Sequence, residues 1–92
     1  MVSRTVTITN ALGMHARAAA RFVHAAARFQ SHVRVARDER VMDGKSIMGI
    51  LLLAAARGTQ LTITTDGPDE ADALDALCAL VRSGLGEQPC SA

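Results

Sequence analysis

No feature constrains the fold of this chain more than the way its apolar period switches between two residues and about 3.6. Val2, Val6 and Ile8 lie on one side of an alternating run, with Ser3, Thr5, Thr7 and Thr9 on the other. That is the pattern of a half-buried strand. The loop NALG, Asn10 to Gly13, ends it, and from Ala16 to Gln30 the spacing of Ala19, Phe22, Val23, Ala26 and Phe29 predicts an amphipathic helix. Val33 and Val35 mark a second strand, Asp38–Glu39 a tight turn, and Val41–Met42 a short third strand. The run IMGILLLAAA predicts a second helix ending before Gly58, a residue suited to a left-handed cap. Leu61, Ile63 and Thr65 alternate again, and Gly67–Pro68 breaks that strand. Asp69 then caps a last helix in which Leu74, Leu77, Cys78 and Val81 share one face. Asp69, Glu70 and Asp72 crowd its first turn, where the helix dipole favours acids.

The order is β-α-β-β-α-β-α, an α+β chain whose short connections suit a mostly antiparallel sheet with helices on one face and the other face wet. With 92 residues there is room for one domain, expected over 1–84, with 85–92 as a flexible tail. A net charge of +1 gives no attraction to nucleic acid or to a membrane surface. The opening MVSRTVTITN alternates rather than forming the apolar block of a signal peptide, and the Ile47–Ala56 run is too short to span a bilayer. A cytoplasmic location is expected. Cys78 lies in the last helical pattern and Cys90 in the tail, so neither a disulfide framework nor a cysteine metal site is expected.

The first candidate site is LGMHARAAA. His15 stands where Ser, Thr, Asp or Asn usually opens a helix. A helix N-terminus carries backbone N–H groups without intrahelical partners and a partial positive charge, and phosphate is stabilised there. An imidazole nitrogen can accept one of those N–H bonds, which would let His15 act as the cap. Arg17 adds a fixed cation for phosphoryl oxygens, the backbone N–H groups of Ala16 and Arg17 form an anion seat, and Gly13 permits close approach. The competing reading is an incidental surface histidine. His24, on a basic helix face, and His32, before a strand, have weaker cases, and no histidine pair has the spacing of a metal site.

The second candidate is DGKSIMGILLLAAARG. GKS invites comparison with a nucleotide-binding phosphate loop, but the first glycine of that motif would fall on Glu39, so the comparison fails. Ser46 is left as a helix N-cap. A phosphoserine there is tolerated by the fold and disrupts apolar docking of a partner. Ile47, Met48 and Leu51 are the expected partner contacts, with Ile50 and Leu53 in the core.

Taken together, NALGMHARAAARFV and GKSIMGILLLAAARG resemble the HPr family, the histidine-containing phosphocarriers of the bacterial phosphoenolpyruvate-dependent phosphotransferase system. The resemblance runs from the first strand to the last helix. It implies an open-faced β-sandwich, an antiparallel sheet covered on one face by the helices. It implies phosphorylation of His15 on the ring nitrogen nearer the backbone, assisted by Arg17. Enzyme I would be the donor and an enzyme IIA domain the acceptor, and the carrier would act as a monomer without cofactor or metal. Ser46 matches the serine modified by HPr kinase/phosphorylase in bacteria that possess one, and Ile47, Met48 and Leu51 match the docking helix. Where the family usually has proline, this chain has Ala18, which leaves open a sugar-transport carrier or a nitrogen-linked regulatory relay.

Two other classes compete. A single-strand RNA reader can share the element order but needs aromatics on its open sheet, whereas Phe22 and Phe29 both fall in the first helical segment. A regulatory module working through Ser46 and the Ile47/Met48/Leu51 patch, without obligatory histidine chemistry, would present the same docking surface.

Overall fold

The computed structural model describes residues 1–86. Its elements follow the expected order: β1 (Val2–Thr7), α1 (Ala16–Ala27), β2 (His32–Arg37), β3 (Arg40–Asp43), α2 (Ile47–Leu52), β4 (Gln60–Asp66) and α3 (Glu70–Arg82). The strands form one sheet in the order β1-β4-β2-β3, and every neighbouring pair is antiparallel. All three helices lie on one face. The other face is polar, and register explains why. Thr5 sits opposite Thr62, their hydroxyls 3.2 Å apart, and the row Ser3, Thr64, Arg34 and Asp43 runs across all four strands. The alternate positions Val6, Val33, Val35, Leu61 and Ile63 point under the helices and are buried.

The helical stripe of α1 meets that surface with Ala18, Ala19, Phe22, Val23 and Ala26, and α3 meets it with Ala73, Leu74, Leu77, Cys78 and Val81. Each fully buried Phe22- or Leu77-sized side chain contributes about 1.5–3 kcal/mol by leaving water. Burial also pushes the Cys78 thiol up from its ordinary value, so it behaves as a small apolar residue.

Several local expectations need correction. α1 stops at Ala27, leaving Phe29 beyond the helix and only half-buried. α2 is shorter than its Ala-rich sequence suggests: it ends at Leu52, and Ala54 turns the chain with φ +50°. Gly58 is therefore not its cap. Gly58 has φ +90° in the next turn, where its N–H donates to the Ile8 carbonyl at 2.8 Å. Asp69 does precede α3, but its side chain makes no cap bond. Its carboxylate instead accepts from the backbone N–H groups of Gln30 and Ser31, both at 2.9 Å, and from the Ser31 hydroxyl. Asp69 thus ties the start of α3 to the loop between α1 and β2. Leu85, placed by sequence at the head of the tail, is fully buried, and its carbonyl accepts from Arg21 at 3.1 Å. Most of the expected tail, with Cys90, lies outside the described residues.

Candidate functional site at the first helix

His15 occupies the N-cap position of α1 in extended conformation (φ −78°, ψ 179°), as the sequence places it. The capping chemistry is different from the expected one. The imidazole makes no cap hydrogen bond; the residue serves the helix through its backbone, whose carbonyl accepts from Ala19 N–H at 2.8 Å. The N–H groups of Ala16, Arg17 and Ala18 belong to the first turn, which has no intrahelical acceptors for them. His15 is half-buried, while Ala16 and Arg17 are exposed at the tip of the helix. Ala18 is fully buried against the core.

The loop that delivers His15 is tightly held. Asn10 Nδ2 donates to the Gly13 carbonyl at 2.7 Å, Gly13 N–H to the Asn10 carbonyl at 3.1 Å, and His15 N–H to the Gly13 carbonyl at 3.0 Å. Gly13 has φ +66°, a backbone region that side chains disfavour. It also lies so close to the segment leaving α2 that an added Cβ would sit 2.5 Å from the Ala55 carbonyl oxygen. That same oxygen accepts the Met14 N–H at 2.8 Å. Met14 itself is 5 % exposed and anchors in the core. The approach of two backbones therefore fixes the residue immediately before His15.

Ser46 is the N-cap of α2 in the expected manner: its Oγ accepts the Gly49 N–H at 3.1 Å. Here side chain and position agree. Ile50 and Leu53 are fully buried, as expected of core residues. Ile47 and Met48 are exposed, by 40 % and 66 %, large values for such side chains in a small domain. Leu51 differs, being half-buried and packed against the core, whereas Leu52 is the exposed leucine. Leu12, in the His15 loop, is a further exposed apolar residue that the sequence reading did not single out. An apolar residue inside a loop rich in turn signals was the only clue to it. His24 and His32 are both exposed, on α1 and β2 respectively, and join neither segment. Among the described residues, no helix is long and apolar enough to cross a membrane.

Comparison with known proteins places this arrangement. Residues 2–83 match the family model described as the PTS HPr component phosphorylation site. The chain belongs to the HPr family. It is 49% identical over 87 residues to the phosphocarrier protein HPr of Cupriavidus necator, covering 95% of this chain and 98% of that one. The HPr of Pseudomonas putida is 48% identical over 88 residues, again with 95% and 98% covered. Among solved structures, HPr-C-His from Thermoanaerobacter tengcongensis superposes with a TM-score of 0.92 at 39% identity, over 97% of this chain and 100% of that one. The open-faced α+β architecture expected of the HPr family is the one observed, and the chain is a phosphocarrier-type component of the phosphotransferase system.

Proposed function

We propose that this chain carries a phosphoryl group on His15, received from phospho-enzyme I and passed to an enzyme IIA domain. The observation that carries the reading is the placement of a half-buried histidine at the N-cap of a twelve-residue helix, in a chain whose match to the HPr phosphorylation-site model spans it. Phosphoryl transfer asks the protein mainly for positioning and charge stabilisation. A bond forms between the ring nitrogen nearer the backbone and phosphorus as the bond from phosphorus to the donor breaks; transfer to the acceptor reverses the roles. Arg17, exposed in the first turn of α1, supplies a fixed cation to the phosphoryl oxygens, and the N–H groups of Ala16 and Arg17 receive them at the positive end of the helix.

Ser46 is the regulatory site in this reading. Its hydroxyl already faces the first turn of α2, so a phosphate there meets favourable N–H groups and costs the fold little. Its effect falls on docking, because Ile47 and Met48 stand exposed on the next two positions, with Leu51 behind them. HPr kinase/phosphorylase is the modifying partner implied where the organism has one.

The test is incubation with enzyme I and phosphoenolpyruvate, followed by intact-mass analysis, with His15→Ala as control. An acid-labile, base-stable phosphate on the wild type alone supports the relay, and equal labelling of the variant moves the site elsewhere. For Ser46, replacement by Asp is expected to weaken phosphorylation by enzyme I with the fold intact. Unchanged kinetics would count against the switch.

A further inference from the structure

The hairpin β2–β3 and the end of α2 share an arrangement that the phosphocarrier reading does not use. Arg37, the last residue of β2, sends one guanidinium nitrogen to two successive carbonyls, Leu53 and Ala54, at 2.8 Å each. Arg40, the first residue of β3, donates to the Leu52 carbonyl at 3.0 Å. Both arginines face the negative end of a short helix. Their consequences differ. The Arg40 bond ends on the helix itself, whereas the Arg37 bonds grip the turn where Ala54 adopts φ +50°. An alanine is strained in that region, where its Cβ crowds the following carbonyl oxygen, so the turn needs outside support. The next residue, Ala55, carries the carbonyl that receives the Met14 N–H at 2.8 Å. Met14 precedes His15.

We propose that Arg37 is a positioning residue for His15, acting through the turn at the end of α2. The guanidinium fixes the Leu53 and Ala54 carbonyls, which sets the direction of the Ala55 carbonyl. That carbonyl in turn holds the chain entering α1 at the point where the imidazole is aimed. Arg37 does not touch the reacting atoms. Its effect is on how often the ring stands in the reactive orientation, and displacements of about 1 Å at such distances cost up to roughly a hundredfold in rate. This inference rests on His15 being the phosphoryl acceptor.

Arg37→Met keeps the aliphatic stem and removes every donor. Amide hydrogen exchange and phosphorylation kinetics of the full chain, with Arg40→Met beside it, test the inference. Arg37→Met is expected to speed exchange of the Met14 amide by about tenfold relative to the core amides of Val35 and Leu77. It is expected to lower the turnover of phosphorylation by roughly tenfold or more, with KM for the carrier unchanged, because docking is untouched. Arg40→Met is expected to lower stability while leaving the Met14 amide in step with the core. Should Arg37→Met not fold, Arg37→Gln, too short to span both carbonyls, carries the same readouts. Wild-type turnover, or Met14 exchange that rises only in step with the core, overturns the proposal. Failure of the wild type to be labelled on His15 would overturn the phosphocarrier reading instead, and Met14 exchange would still report whether Arg37 holds the turn.

Discussion

Two glycines, both at positive φ, separate the cost of backbone conformation from the cost of crowding. At Gly58 (φ +90°) an added Cβ meets nothing within 4 Å. At Gly13 (φ +66°) it would lie 2.5 Å from the Ala55 carbonyl oxygen and 2.9 Å from Ala56 Cα, both backbone atoms that have no side-chain rotation to give way. Gly58→Ala therefore costs only the left-handed penalty, about 1–2 kcal/mol. Gly13→Ala adds the separation of two backbones. The Met14 N–H and Ala55 carbonyl, 2.8 Å apart, are then pulled from each other. Leaving such a buried pair unmade costs about 1–3 kcal/mol, and the core position of Met14 is levered outward with it. The sum for Gly13→Ala is about 2–5 kcal/mol, a large share of the 5–15 kcal/mol typical of a domain.

Urea and thermal unfolding of the two variants measure the difference directly. For a domain of this size each kcal/mol moves Tm by about 4–8 °C, so the extra cost of about 1–3 kcal/mol should make Gly13→Ala melt roughly 4–24 °C below Gly58→Ala. The same crowding displaces the approach to His15, so phosphorylation of Gly13→Ala should be slower even at temperatures where it is fully folded. Stabilities equal within about 0.5 kcal/mol would refute the reasoning. That result would mean that the loop before α1 is free to move away from the α2 exit, and that the Met14–Ala55 bond does not fix it.

Three further outcomes follow from the same contacts. Ala54→Gly removes the left-handed penalty at φ +50° and should raise stability by roughly 0.5–1 kcal/mol in urea unfolding, net of the greater freedom of glycine in the unfolded chain. Ser46→Ala deletes the bond to Gly49 N–H and should cost about 1 kcal/mol, with faster amide exchange confined to α2. The Asp69 carboxyl is held below its ordinary value of 3.8 by the Ser31 hydroxyl and then by the Gln30 and Ser31 N–H groups, so its stabilising contribution is full above that value and is lost as pH falls through the depressed one. Acid titration of stability should accordingly show a steeper fall below about pH 4 for the wild type than for Asp69→Asn, and identical slopes would remove Asp69 from the account.

What could be read from the sequence follows one physical division. Period and position are local, and they were legible: the alternating runs became the four strands, the helical stripes became the three helices, and His15, Ser46 and Asp69 stand at the three helix starts. What a side chain does at such a position is decided by what the fold brings beside it. Ser46 caps because its acceptor-seeking N–H is three residues away in its own helix. Asp69 had the same local opportunity, yet its carboxylate is used by Gln30 and Ser31, thirty-eight or more positions distant in sequence. The end of α2 shows the same competition. ILLLAAA favours continued helix, but Arg37 and Arg40 reach in from the hairpin, and Met14 claims the Ala55 carbonyl that a longer helix would have used internally. Each misread boundary lies where such a long-range hydrogen bond outbids local preference. One of them, from the Met14 N–H to the Ala55 carbonyl, holds the loop that delivers His15, so the residue beside the imidazole is placed by a contact that no local pattern in the sequence displays.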